Sequence, residues 1–211
     1  LLIKDLETTE LHRGMEGAIL ACAGVPLVLA LSTETYMGGT LPQAVETAMT
    51  SADVILLCTK ELFPHKARKL AADAGARVLS LGTVTPGMAL RSLDVDYAEL
   101  SRDGVARERG KTSALPAGVV ATLPLPETAE GKVVLNGSIH DIGLLEKPAT
   151  LTVKNGRITD IQGGREAEKL RQMLDAADEN ARCIAEVGLG TNPRATYVGN
   201  LVEDERVRGS G

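Results

Sequence analysis

The sequence predicts an α/β fold, with an N-terminal doubly wound, mostly parallel sheet domain followed by a smaller β-rich α+β domain. Up to about Leu100, short apolar runs alternate with helix-like segments, which is typical of parallel strands joined by crossover helices. The apolar runs are continuous, as expected for strands with helices on both faces. A polar stretch, Ser101 to Ser113, then precedes hairpin-like strands. We therefore predict a Rossmann-like domain at 1–104 and a second domain at 105–211.

In the first domain, proline residues lie near the predicted helix starts. The N–H group that proline lacks would have no partner within the helix at these positions, so its loss does not destabilise the helix. The carboxyl ends of the strands are where such sheets bind ligands. The predicted strands are Leu1–Ile3, Leu27–Leu31, Val54–Cys58 and Val78–Leu81, and the predicted helices are Thr9–Ala23, Leu41–Thr50, Pro64–Ala74 and Pro86–Ser92.

In the second domain, Asn155-Gly156 is the clearest local signal, because a type I′ hairpin turn requires positive φ at both central residues. One helix is predicted at Arg165 to about Asn180. The predicted strands are Val119–Leu123, Lys132–Leu135, Leu151–Lys154, Arg157–Ile161 and Ile184–Gly188.

Composition excludes several classes of partner. The net charge is −5 and the charges are interspersed, so we expect no nucleic-acid partner. No apolar run approaches the ~20 residues of a membrane-spanning helix, so we expect no membrane partner. The 3 cysteines are widely spaced, which favours small buried side chains in a reducing cytoplasm. Because the chain begins at Leu1 and not at Met, an upstream segment is compatible with the sequence.

The histidines have different positions along the predicted elements. His12 is expected on a solvated helix surface, and His140 in a loop. His65 follows Pro64 at a helix start, near the edge of the sheet where sites form, and the helix dipole there favours a neutral, proton-accepting imidazole. His65 is therefore a candidate catalytic residue. Glycine-rich nucleotide-binding and serine-hydrolase motifs are missing from the sequence.

Glu186 is the strongest local anomaly, because it stands among apolar residues on a predicted strand. Burial of an unpaired charge is unfavourable. Either that face of the strand is solvated, or the carboxylate has a partner such as a cation, an arginine or a metal ion. The later run of mixed charge, residues 203–208, is expected to be a solvated face with ion pairs.

Residues 185–193 (Ala-Glu-Val-Gly-Leu-Gly-Thr-Asn-Pro) and 199–209 (Gly-Asn-Leu-Val-Glu-Asp-Glu-Arg-Val-Arg-Gly) resemble the segment before the metal site in the aminopeptidase T superfamily. This superfamily contains thermophilic-type metalloaminopeptidases and a branch of 2,5-dihydroxypyridine dioxygenases. Four earlier segments also resemble segments of this superfamily in the same order, so the resemblance extends over most of the chain. They are Ser51–Ile55, Ala74–Val78, Leu93–Tyr97 and Leu115–Gly118.

The resemblance implies that Glu186 is a metal ligand and that His65 faces the substrate in the dioxygenase-like branch. It also implies further ligands beyond Gly211, a homodimer, and more chain near residues 106–113. One departure concerns metal number: the aminopeptidases have a second glutamate ligand after the Pro-x-Gly element, whereas Val119 stands here. Valine cannot bind a metal, which favours a single ion.

We therefore expect a cytoplasmic, metal-dependent enzyme that acts on a peptide or small-molecule substrate. The first reading is aminopeptidase-like hydrolysis of N-terminal residues, in which a divalent metal, zinc or cobalt, activates water. The alternative is an iron(II) dioxygenase that cleaves a dihydroxypyridine-type ring. A non-catalytic binding relative is the third reading.

Overall fold

In a computed structural model of the chain, the described residues are 1–7, 9–38, 40–96 and 106–210. The chain divides into two compact units, Leu1–Ala117 and Gly118–Gly211. The predicted domain boundary, between residues 104 and 105, lies outside the described residues. The described helices do not include one that is both long and apolar enough to cross a lipid bilayer.

The first unit is an open parallel sheet with helices between successive strands, in the order β2-β1-β3-β4-β5. The predicted doubly wound α/β fold is confirmed. Its strands are β1 (Leu2–Asp5), β2 (Val28–Leu31), β3 (Val54–Cys58), β4 (Arg77–Ser80) and β5 (Thr112–Ala114), and its helices are α1 (Glu10–Ala21), α2 (Thr33–Met37), α3 (Gln43–Ser51), α4 (His65–Asp73) and α5 (Pro86–Ser92).

The core of the first unit lies where α3 and α4 pack on the sheet. The strand β1 lies between β2 and β3 and is buried along its whole length, including the charged residues Lys4 and Asp5 at its end. Tyr36 and Phe63 stack in this core with ring centroids 5.3 Å apart. Side-chain caps fix the starts of two helices: Ser32 accepts the N–H of Thr35 at α2, and Thr85 accepts the N–H of Met88 at α5.

The second unit is built from small antiparallel sheets, β11-β10-β7, β12-β6 and β8-β9. Its core lies between the first of these sheets and α6, where Ala149, Leu151, Ile161 and Ala167 are buried. Its strands are β6 (Val119–Thr122), β7 (Gly131–Leu135), β8 (Ser138–Ile139), β9 (Gly143–Leu144), β10 (Ala149–Lys154), β11 (Arg157–Gln162) and β12 (Val187–Gly190), and its helices are α6 (Arg165–Ala176) and α7 (Leu201–Asp204).

The hairpin turn predicted at Asn155-Gly156 is confirmed, with φ of 48° and 70° at its two residues. Several short elements were not predicted, namely α2, β5, β8, β9 and α7. The strand β5 begins within the polar stretch Ser101 to Ser113, yet it pairs in parallel with β4. Of the cysteines expected to be buried, Cys58 is buried, whereas Cys22 and Cys183 are exposed.

Candidate functional site

The carboxyl edge of the parallel sheet, where ligands were expected, is organised by the side chain of Asp5 at the end of β1. Tyr36 donates its hydroxyl to Asp5 Oδ1 at 2.9 Å, and the backbone N–H of Lys60 donates to Oδ2 at 2.6 Å. Burial raises the pKa of Tyr36, so the phenol keeps its proton as a donor. The carboxylate thus joins the loops after β1, β2 and β3, and its oxygens are already in use.

His12 is not on a solvated surface as predicted, because only 5% of it is exposed. Its Nδ1 accepts the N–H of Thr9 at 3.0 Å, and its Nε2 lies 2.9 Å from the carbonyl oxygen of Cys58. These contacts require a neutral imidazole with the proton on Nε2. His12 therefore connects the start of α1 to the end of β3 and has a structural role.

His65, the predicted catalytic residue, is the first residue of α4 and is exposed. This position follows the loop after β3, as the sequence indicated. Lys60, five residues before His65, donates a hydrogen bond to Glu7 Oε2 at 2.9 Å, and this bond raises the pKa of the ammonium group. His65 belongs to the first unit, whereas Glu186 belongs to the second. The role of His65 in proton transfer stays a prediction.

Glu186 immediately precedes β12 and is exposed, which corrects the predicted strand Ile184–Gly188. The strand is displaced towards the carboxyl terminus because residues 187–190 pair with β6, in the register Leu189↔Val120 and Gly190↔Val119. The anomaly of a buried charge thus disappears, because the carboxylate lies just before a two-stranded sheet and is exposed.

The face of this sheet that carries Glu186 forms one wall of a cavity of about 230 Å³ within the second unit. Glu186 and Gly188 line it from one strand and Val119 from the other. Alternate residues of a strand face opposite sides. Accordingly, Leu189 and Val120 lie outside the cavity and are 53% and 41% exposed.

Other polar side chains reach the same cavity from the loops around β8 and from α7. They are Asn136, Ser138, His140, Asp204 and Glu205. His140, expected only as a loop residue, thus shares a cavity with Glu186, and its Nε2 lies 3.6 Å from Asp141 Oδ1. Asp204 and Glu205 are already engaged, by Ser138 and by Arg206 respectively. The spacing of residues 140 and 186 in the sequence did not indicate that they line the same cavity.

The run of mixed charge at residues 203–208 is not a solvated face as expected. Glu203 is fully buried, and Asp204 and Arg206 are 4% and 7% exposed. The two acids lie on α7, whose start is capped by Asn200 accepting the N–H of Val202 at 3.0 Å. Buried carboxylates require hydrogen bonds, and these acids accept them from the loop at residues 196–198.

The donor set for a metal ion is incomplete in the part of the chain that the structure describes. Within it, no three or more His, Cys, Asp or Glu side chains come together in a group that could hold a metal ion. Glu186 fits one requirement, an exposed carboxylate at a cavity wall. The described residues therefore supply at most a part of a metal centre.

The fold and this cavity define an α/β protein with a small acidic site in its second unit. The profile of the family NicX, 2,5-dihydroxypyridine 5,6-dioxygenase, matches residues 87–209, which include Glu186 and most residues that line the cavity. The chain belongs to this family of enzymes. The 2,5-dihydroxypyridine 5,6-dioxygenase of Pseudomonas putida is 33% identical over 114 residues, or 51% of this chain. The chain covers only 32% of the length of that relative.

Two solved structures share the fold. The 2,5-dihydroxypyridine dioxygenase of Pseudomonas putida KT2440 matches with a TM-score of 0.78 and 19% identity, over 98% of this chain and 77% of that one. Wild-type AmpT from Thermus thermophilus matches with a TM-score of 0.56 and 15% identity, over 99% of this chain and 78% of that one. The resemblance to the 2,5-dihydroxypyridine dioxygenase branch is confirmed by the family match, and the structure of AmpT shares the fold.

Proposed function

We propose that this protein is a dioxygenase that opens the ring of a dihydroxypyridine-type substrate. The observation behind this proposal is the family match, because it covers the segment that contains Glu186 and most of its cavity. It favours the second of the two enzymatic readings of the sequence. Aminopeptidase-like hydrolysis is supported only by a shared fold.

The size of the cavity supports a small ring as the ligand. At about 230 Å³ it lies below the roughly 300–1,000 Å³ of pockets for drug-sized ligands. A peptide would need a longer groove for its main chain, whereas a single six-membered ring needs only a compact cavity. The lining combines an acid, an imidazole and apolar residues, which suits a flat ring with polar substituents.

In this proposal Glu186 and His140 have separate roles. The Glu186 carboxylate is one ligand of a divalent metal, and an iron(II) ion when bound supplies the activation of dioxygen. The His140 imidazole, which lines the cavity, accepts a proton from a substrate hydroxyl group as a general base. The carboxylate of Asp141 lies nearby, with Oδ1 3.6 Å from Nε2 of His140. The prediction of proton transfer by His65 is separate, and His65 is not part of this cavity.

The test is oxygen uptake by the full-length protein, supplied with iron(II) and 2,5-dihydroxypyridine, beside hydrolysis of an aminoacyl amide. We expect oxygen uptake, and a loss on the order of 100-fold or more in Glu186→Gln. Substitution of residues that merely support ligands costs about 10–100-fold, so a ligand itself should cost at least as much. The matched control is Glu146→Gln, an exposed acid outside the cavity. Amide hydrolysis without oxygen uptake would overturn the proposal in favour of the peptidase.

A further inference from the structure

The ring of Tyr197 forms one wall of the Glu186 cavity and lies directly against the backbone of Gly137. A Cβ atom built on Gly137 would be 2.5 Å from Tyr197 Cε1 and 2.9 Å from Cζ. Real Cβ atoms do not approach other atoms so closely, so only glycine allows this contact. The ring itself is 42% exposed, and both residues line the cavity.

The loop that carries Tyr197 is held on both sides of the ring by buried acids. The N–H of Thr196 donates to Glu203 Oε1 at 3.2 Å, and the N–H of Val198 donates to Asp204 Oδ1 at 2.7 Å. Both carboxylates are shielded from water, with 0% and 4% exposure. Hydrogen bonds to a charged acceptor are roughly twice as strong as neutral ones. The backbone around Tyr197 is therefore firmly positioned.

The beginning of the same loop is held by a buried amide. Asn192 is fully buried, and its Oδ1 accepts the N–H groups of Arg194 at 2.9 Å and Ala195 at 3.2 Å. Polar side chains therefore fix the path of the loop from residue 192 to residue 198, although it contains no regular secondary structure.

Asp204 also fixes the distance between Tyr197 and Gly137. While Oδ1 accepts the N–H of Val198, Oδ2 accepts the hydroxyl of Ser138, the residue after Gly137. A single carboxylate thus joins the loop of Tyr197 to strand β8. Burying acids is unfavourable unless their oxygens are satisfied, and here they are satisfied by groups that shape one wall of the cavity.

We propose that Tyr197 is the specificity-determining residue of the cavity and stacks against the flat ring of an aromatic substrate. The proposal rests on the proposed function and adds a preference for planar over saturated rings. Aromatic rings attract each other in offset or edge-to-face geometry, with centroids 4.5–7 Å apart in general. A ring held in advance on a rigid loop loses little freedom when the ligand binds.

Direct binding tests this role separately from turnover. Under anaerobic conditions, 2,5-dihydroxypyridine is titrated into the full-length protein by calorimetry. We expect Tyr197→Leu to raise the Kd on the order of tenfold, the size expected for a lost aromatic pair. Tyr197→Phe keeps the ring and should stay within about twofold. Melting temperatures, measured alongside, identify variants that fail to fold.

Gly137 provides a second, independent variant. Gly137→Ala should displace the Tyr197 ring and weaken binding by a similar factor, because the new methyl group would meet the ring at 2.5 Å. Gly17→Ala is the matched control: it adds the same methyl group to the exposed side of α1, where no atom lies within 4 Å. Unchanged binding in both Tyr197→Leu and Gly137→Ala would overturn the proposal.

The unaltered protein gives a test that needs no variant. Its affinity for 2,5-dihydroxypyridine should exceed that for cyclohexane-1,4-diol, a saturated ring of similar size, by about tenfold or more. Equal affinities, or no binding of 2,5-dihydroxypyridine, would overturn the role of Tyr197. If the aromatic ring binds through Tyr197 but no oxygen is consumed, the ring site stands and the proposed dioxygenase function fails.

Discussion

At the scale of single residues, burial determines the chemistry of the cysteines. Cys58 is 3% exposed at the end of β3, and desolvation raises the pKa of its thiol from 9.0 to about 12. Since the thiolate is the reactive form, Cys58 is inert at neutral pH. Cys22 and Cys183 are exposed, although the sequence suggested the same buried role for all three. Residue type alone does not distinguish these positions.

Cys58 should therefore contribute a pH-dependent part of the free energy of unfolding. Below about pH 9 the thiol is protonated in both the folded and the unfolded chain, and its full contribution to the free energy of unfolding is present. Between pH 9 and about 12 the unfolded chain releases the proton first, so stability falls, with a slope approaching about 1.4 kcal/mol per pH unit. Denaturant unfolding across this range should show a shallower loss in Cys58→Ala than in Cys22→Ala. Equal slopes in the two variants would contradict the assignment.

At the scale of elements, features set by neighbouring residues could be predicted from the sequence. Features set by pairing between distant strands could not. The turn at Asn155-Gly156 follows from two adjacent residues, and β3 and α5 have the predicted limits. The strand β12 was misplaced because its limits depend on pairing with β6, more than 60 residues earlier. Likewise, the sequence alone predicts that the acids of α7 lie on the surface. They are buried because they accept hydrogen bonds from the loop at 196–198, which the sequence did not indicate.

The start of β6 gives an element-scale prediction about Gly118. Its φ is +109°, and a Cβ atom there would be 2.8 Å from Asn192 Cβ and 2.9 Å from its backbone N. We expect Gly118→Ala to destabilise the protein by about 2 kcal/mol or more, because both strain and a backbone clash arise. Gly14→Ala, on the exposed face of α1 with no atom within 4 Å, should instead stabilise it by about 0.5–1 kcal/mol. Urea unfolding measures both, and a neutral Gly118→Ala would contradict the close approach to Asn192.

At the scale of the whole molecule, the order of apolar runs was enough to predict the parallel sheet, because apolar runs that alternate with helix-like segments are typical of parallel strands joined by crossover helices. The site was only partly predictable. Residue type and resemblance made Glu186 a candidate, whereas His140 and Tyr197 line the same cavity only through folding of the second unit. Their sequence positions, 46 residues before and 11 after Glu186, carry no periodic signal.

Metal number is the property of the whole protein that separates the remaining readings. Glu186 and Val119 line the same cavity, and valine offers no donor atom. We therefore expect the full-length protein to bind at most one equivalent of iron(II), cobalt(II) or zinc(II). Val119→Glu adds a second carboxylate to the cavity and should add a second, weaker equivalent.

The control for this stoichiometry is Val120→Glu, whose side chain lies on the opposite, exposed face of the same strand. It introduces the same charge one residue away, so it should leave metal binding unchanged because strand neighbours face opposite sides. Metal analysis after dialysis measures each variant. Two equivalents in the unaltered protein would contradict the single-metal expectation and favour the peptidase. A gain in both Val119→Glu and Val120→Glu would show that the added charge, and not its place in the cavity, attracts the metal.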